Sequence, residues 1–116
     1  MVKSLIIYKR KFLELKDYIN NSDKYGIKPS ILLVVDLKKR LQYDQNILKR
    51  RMSEKDYNSS AYLFTDCNDN FKEIELFLKS PNESRFIETD VIKLVRDCKN
   101  LVDEIYGMLL TSEPVL

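Results

Sequence analysis

One long apolar stripe near the end of the sequence constrains the fold of this 116-residue chain more than any other feature. Between Asp90 and Leu110, apolar residues recur at alternating spacings of three and four, and polar residues fill the positions between them. That period is typical of one face of a long α-helix. The stripe consists of Val91, Leu94, Val95, Cys98, Leu101, Val102, Ile105, Met108 and Leu109. A stripe this wide must be buried against other elements or another chain.

Two stretches nearer the start of the chain carry the same period and can cover that stripe. The first predicts a helix over residues 3–20, followed by a polar connection with turn-forming residues. Its apolar face consists of Leu5, Tyr8, Phe12, Leu15 and Ile19, widened by Ile6 and Leu13. Pro29 opens the second helix, predicted over residues 30–42, because the fixed φ of proline suits a first helical turn. Its continuation through a kink or a short separate helix at residues 45–53 stays open.

A third upstream stripe predicts a helix over residues 60–79. Side chains suited to capping its first amides are Asp56, Asn58, Ser59 and Ser60. Pro81 ends this helix, since proline restricts the residue before it to extended backbone. Thr89 or Asp90 is then placed to cap the last helix.

The predicted fold is all-α, an antiparallel bundle of four to five helices packed round the last one. Only 2 Gly and 3 Pro occur, too few for the turns of a many-stranded sheet protein. A length of 116 residues is that of one ordinary domain, which predicts a single helical domain over residues 1–116. We expect residues 111–116 to fray.

One stretch permits a second prediction, an α+β winged helix-turn-helix. Residues 74–79 and 85–89 can also form two strands of a β-hairpin, although the loop lacks the glycine usual in tight hairpins. A hairpin between three helices and a long last helix resembles the MarR and SarA-like regulators, whose wing signature is matched by Glu83-Ser84-Arg85 alone. That resemblance implies a dimeric DNA-binding transcriptional regulator.

Under the winged-helix alternative, residues 45–53 and 58–69 form the helix-turn-helix. The side chains then expected to contact DNA are Arg50, Arg51, Lys55, Asn58, Ser59, Ser60, Tyr62 and Arg85. Asp66 and Asp69 on the proposed recognition helix would repel DNA, so the helical bundle is preferred.

The residue types available argue against catalysis. The chain has no histidine, which removes the commonest general base and the commonest metal ligand. Gly26 and Gly107 alone cannot make a glycine-rich phosphate loop. Cys67 and Cys98 lie on apolar stripes, which favours reduced core packing over a redox pair between two helices. The sequence therefore predicts no catalytic residue, no cofactor, no metal site and no enzyme activity.

A cluster of basic residues in the middle of the chain is the strongest charge feature. Its members are Lys38, Lys39, Arg40, Lys49, Arg50, Arg51 and Lys55. Such a cluster is either the solvated outer face of a helix or a basic surface for an acidic protein or phosphates. We expect these residues to form the partner-binding face.

These features favour a small intracellular, cytoplasmic interaction module over any other class. The 20 basic and 18 acidic residues nearly balance, and the longest apolar run, Ile31 to Val35, is far short of the roughly 20 residues that span a bilayer. The expected partner is another protein, or a second copy in a homodimer, held by a helical groove or a basic face. An adaptor, a regulator and an antagonist share this sequence signature. Nucleic acid is the second choice of partner, and no membrane insertion is expected.

Overall fold

Four long helices and one short helix make up the computed structural model, which describes residues 2–112, with side chains over residues 5–108. The helices are α1 (Val2–Asn20), α2 (Ser22–Tyr25), α3 (Lys28–Arg51), α4 (Glu54–Lys79) and α5 (Glu88–Ser112). Residues 2–112 contain no strand, so the prediction of an all-α fold is confirmed.

The four long helices form an antiparallel bundle in which each packs mainly against two others. α1 contacts α3 and α5, and α4 contacts the same two helices from the opposite side. Residue pairs between α1 and α3 run in opposite directions, since Tyr8 bonds to Asp44 whereas Lys11 pairs with Asp36. The last helix is therefore one of four similar members of a ring, and the others do not surround it.

Side chains and backbone geometry fix the two connections that precede α4. Gly26 has a φ of 76° and ends the single turn of α2, a left-handed conformation that favours glycine. Met52 and Ser53 alone join α3 to α4. The Ser53 hydroxyl accepts a hydrogen bond of 3.2 Å from the Asp56 amide, so α4 begins six residues before the predicted start at residue 60. The predicted capping residues Asp56 to Ser60 lie inside the helix instead.

α3 is continuous where the sequence left a kink or a separate helix open. Asp44 interrupts the apolar stripe in the sequence, yet it is only 7% exposed. Tyr8 and Tyr106 both donate hydrogen bonds to its carboxylate, so a polar residue occupies a core position without breaking the helix. Neither a kink nor a separate helix forms at residues 45–53, since residues 45–51 are the last turns of α3 and Met52 and Ser53 connect it to α4.

The β-hairpin predicted as an alternative for residues 74–89 does not form. α4 continues to Lys79, and residues 80–87 form a loop that leads into α5. Asp90 then accepts a hydrogen bond of 3.2 Å from the Ile87 amide, as the third residue of a capping box does. α5 extends to Ser112, so the first two residues of the predicted frayed tail are helical, and residues 113–116 lie outside the described part of the chain.

The core runs along the bundle axis and draws on all four long helices. Its largest fully buried side chains are Tyr8, Tyr106, Phe12, Phe64, Phe71, Leu15, Ile19, Leu37, Leu41, Leu48, Ile74 and Ile105. The rings of Phe12 and Phe71 stack across the bundle with centroids 6.2 Å apart. On the predicted stripe of α5, which packs against α1 and α4, five residues are buried: Val91, Val95, Cys98, Val102 and Ile105. The side chain of Leu109 lies outside the described residues.

Candidate partner-binding groove

A groove of about 420 Å³ runs between α1 and α5 on the outside of the bundle. Apolar side chains form its floor: Phe12, Leu13, Ile92 and Val95. Polar side chains form its rim: Lys16, Thr89, Lys93, Arg96 and Lys99. We call these nine residues the α1/α5 groove.

Helix geometry explains why the floor of the groove stays accessible. Phe12 points into the core, and Leu13, which lies about 100° further round α1, is 65% exposed. Ile92 and Val95 are three residues apart on α5, so they lie on one side of that helix, where Ile92 is half-buried and Val95 is buried. The helices α3 and α4 lie on the far side of the core, and neither contributes a residue to the groove.

The rim of the groove is cationic on both sides. Lys16 comes from α1, whereas Lys93, Arg96 and Lys99 recur every third residue along one edge of α5. Lys99 lies 4.0 Å from Asp103 of its own helix. Among residues 5–108, no ion pair involves Lys16, Lys93 or Arg96, and the groove lining contains no carboxylate. The groove therefore combines an apolar floor with uncompensated positive charge.

A second polar arrangement lies at the other end of the α1/α5 interface and is closed to solvent. The Tyr8 hydroxyl donates a hydrogen bond of 2.8 Å to Asp44 Oδ2, and the Tyr106 hydroxyl donates a short one to the same oxygen. Burial raises the pKa of Tyr8, and the negative charge of Asp44 raises it further. The Tyr8 hydroxyl thus remains a donor, and the cluster ties α1, α3 and α5 together.

The groove on the other side of α5, between α4 and α5, has the opposite charge. Its lining consists of Asp66, Asp69, Asn70, Asp97, Asn100, Leu101 and Glu104. Only Leu101 offers apolar surface there. Among the described residues, no three side chains of metal-ligating type come close enough together to hold an ion.

The predicted partner-binding residues on α3 do not form one continuous surface. Residues 38–40 and 49–51 are three turns apart, about 16 Å along the helix. The Lys38 ammonium donates to Glu75 of α4 at 2.7 Å, and the Arg40 guanidinium donates to Asp36 at 3.0 Å. Lys39, Lys49, Arg50, Arg51 and Lys55 are exposed. Two members of the predicted face thus hold carboxylates within the same chain.

Those carboxylates are stabilised in their charged form. Burial by itself would raise the pKa of Glu75, but hydrogen bonds from Lys38 and Lys79 outweigh it and hold that pKa below its usual value. Asp36 follows the same pattern, with Lys11 at 2.8 Å and Arg40 as its partners. These ion pairs fasten α3 to its two neighbouring helices.

The residues of the DNA-binding alternative are spread over both ends of the bundle. Ser60 is buried, and its hydroxyl donates to the backbone carbonyls of Asp56 and Tyr57. The Ser59 hydroxyl donates to a backbone carbonyl in the same way. Asn58 and Tyr62 are exposed near the start of α4, beside Arg50, Arg51 and Lys55 in the chain. Arg85 lies in the loop after α4, where its guanidinium is 3.9 Å from Glu73, a residue about 27 Å from Lys55 along the helix.

The two cysteines meet in the core, between α4 and α5. The Cys98 thiol lies 3.8 Å from the backbone carbonyl oxygen of Cys67, and both side chains are fully buried. The contact with Cys67 and burial both raise the pKa of Cys98. A thiol with a raised pKa forms little of the reactive thiolate, which supports the interpretation of reduced core packing.

The sequence predicts that Lys93, Arg96 and Lys99 lie on the polar side of α5, but it does not identify them as part of a binding site. Their spacing of three is visible in the sequence and identifies one edge of the helix. The pairing of that edge with Leu13 and Lys16 was not visible, because it requires knowing that α1 packs beside α5. The sequence also predicted that Ile6 and Leu13 widen the buried face of α1, and this prediction was wrong, since the two side chains are 53% and 65% exposed.

The chain matches no protein-family model, no curated protein and no solved structure. None of the helices within the described residues has an apolar stretch long enough to cross a bilayer.

Proposed function

We propose that this chain is a small, non-enzymatic interaction module that binds a segment of a partner protein in the α1/α5 groove. The observation that supports this proposal is the combination of an exposed leucine, an apolar floor and three cations without ion-pair partners. An apolar floor supplies affinity by burying surface, and the charged rim governs association rate and selects partners. The basic residues of α3 line neither of the two grooves described above, so we place the binding face in the α1/α5 groove and not on α3.

A display selection with a random peptide library tests the groove without knowledge of the natural partner. The protein is immobilised as wild type and as two variants, Leu13→Glu and Leu32→Glu. Leu13 and Leu32 are 65% and 58% exposed, so the same substitution should leave both variants folded. Leu13→Glu places a carboxylate against the groove cations, whereas Leu32→Glu alters α3, outside the groove.

We expect peptides that bind wild type and Leu32→Glu alike and lose at least about tenfold in affinity on Leu13→Glu, about 1.4 kcal/mol. Circular dichroism and thermal unfolding check that both variants keep the helical bundle. Peptides that bind all three proteins equally, or that lose binding only on Leu32→Glu, would contradict the proposal and direct attention back to α3.

A further inference from the structure

We infer that the α1/α5 groove takes an acidic amphipathic helix of the partner protein, an inference that rests on the function proposed above. Charge is the first reason. Lys16, Lys93 and Arg96 surround the apolar floor without ion-pair partners among the described residues, and no carboxylate lines the groove. A segment with Asp or Glu beside its apolar residues neutralises this repulsion, and a basic segment adds to it.

Backbone hydrogen bonding is the second reason, because it favours a helix over an extended strand. Both walls of the groove are helices whose own backbone groups bond within α1 and α5. Apart from the first-turn amides of α5 beside Thr89, they offer no row of free amides and carbonyls of the kind that an extended peptide pairs with. A bound helix forms its backbone hydrogen bonds within itself, so it needs only side-chain contacts from the groove.

The dimensions of the surface are the third reason. From Thr89 to Lys99 the groove is about 15 Å long, which matches about three helical turns. Ile6 is 53% exposed and lies seven residues before Leu13 on the same side of α1, so one more apolar side chain lies about 10 Å further along, beyond the exposed cations Lys9 and Arg10. An occupant of about 16 residues with apolar side chains every third or fourth position covers this length.

A second copy of the chain fits the groove less well than such a helix. The exposed side of α4 is acidic at Asp66 and Asp69, which suits the rim. Its exposed apolar residues are Tyr62 and Leu76, 58% and 36% accessible, and they lie about 21 Å apart along the helix. The stretch between them offers carboxylates but no apolar side chain at the spacing of the groove floor.

Three synthetic peptides of about 16 residues test the inference, each with leucine at alternating spacings of three and four. One has glutamate beside the leucines, the second has lysine at those positions, and the third is the glutamate peptide with a central proline. Glutamate and lysine have similar helix propensities, so the first two differ chiefly in charge. Fluorescence anisotropy gives affinities, and backbone amide chemical shifts of the protein locate the binding surface.

We expect the glutamate peptide to bind at least about tenfold more tightly than the other two at low salt, and to weaken as salt screens the rim. Its largest shifts should fall on Leu13, Ile92 and Arg96. The double variant Lys93→Glu/Arg96→Glu should weaken this peptide about tenfold and strengthen the lysine peptide. The matched control Lys39→Glu/Arg50→Glu, which reverses two exposed cations of α3, should change both affinities less than about twofold.

Each of the other possible results of these binding experiments contradicts a different part of the inference. Equal binding of the glutamate and lysine peptides overturns the acidic partner, and equal binding of the proline peptide overturns the helix. If no peptide shifts the groove resonances while display selection still gives peptides sensitive to Leu13→Glu, the inference fails and the proposed function stands. If selection gives none either, both fail. A decanoate anion that binds the groove more tightly than the glutamate peptide would identify a small amphipathic ligand instead.

Discussion

The two ends of the α1/α5 interface are built from the same two helices but differ in burial and in charge. At one end, Tyr8 and Tyr106 meet with ring centroids 5.3 Å apart and bond to Asp44 of α3, so the interface is closed. At the other end, Leu13 stands exposed above Ile92, and the rim is cationic. The first end is a buried hydrogen-bonded cluster that joins three helices, and the second end is an accessible surface.

The number of helices that contribute side chains explains the difference. α3 supplies the carboxylate that the two phenols need at the closed end, because a buried hydroxyl without an acceptor is costly. Only α1 and α5 line the open end, so nothing within the described chain neutralises Lys93 or Arg96. Polar groups thus stabilise the fold where a third helix pairs them, and make no ion pair among the described residues where none does.

Removal of the shared carboxylate should break the closed end and produce the largest loss of stability. Asp44→Ala leaves two buried hydroxyls without their acceptor, each worth about 1–3 kcal/mol, so we expect a loss of about 4 kcal/mol. Urea denaturation measures it. Asp69→Ala is the matched control, because Asp69 is exposed on α4, and it should change the free energy of unfolding by less than about 0.5 kcal/mol. A loss below about 1 kcal/mol for Asp44→Ala would show that these two hydrogen bonds contribute little to the free energy of unfolding.

Two leucines of α1 sharpen the contrast between buried and accessible surface. Leu15 is fully buried and Leu13 is 65% exposed. Leu15→Ala should cost about 3 kcal/mol through lost burial and the cavity left behind. Leu13→Ala should cost less than about 0.5 kcal/mol while weakening peptide binding. Similar losses of stability for the two variants would mean that Leu13 is a core residue and that the groove is closed in solution.

The smallest effect should come from the ion pairs of α3, whereas Lys16, Lys93 and Arg96 of the rim make none among the described residues. The pKa of Glu75 is lowered, so its ion pair with Lys38 stabilises the fold above the unfolded pKa, near 4.5, and is lost as pH falls through the lower folded pKa. We expect Glu75→Gln to cost about 0.5 kcal/mol at pH 7 and nothing once the carboxylate is protonated.

Urea denaturation at a series of pH values from about 2 to 7 checks the sign of this effect. Glu14→Gln is the control, since Glu14 is exposed and makes no ion pair among the described residues, and its curve should follow that of wild type. A Glu75→Gln curve parallel to wild type over the whole range would contradict the ion-pair contribution.

The amino-acid pattern determined the secondary structure and the fold class of this protein. Apolar residues at spacings of three and four predicted every long helix, because that period places them on one face that must be buried. One error came from a tertiary contact: Asp44 interrupts the apolar pattern, but its carboxylate accepts hydrogen bonds from tyrosines 36 and 62 residues away. The other error was local, since the Ser53 hydroxyl caps α4 by accepting a hydrogen bond from the amide of Asp56, three residues further on.

Only the tertiary structure decided which surface is open to a partner. In the sequence, the basic residues of α3 form the densest cluster, yet Lys38 and Arg40 pair within the chain. The cations of the α1/α5 groove come from segments about 80 residues apart in the sequence. The spacing of apolar residues in the sequence determines which side of a helix is apolar. How the helices pack then determines which part of that side a neighbouring helix covers and which part stays exposed.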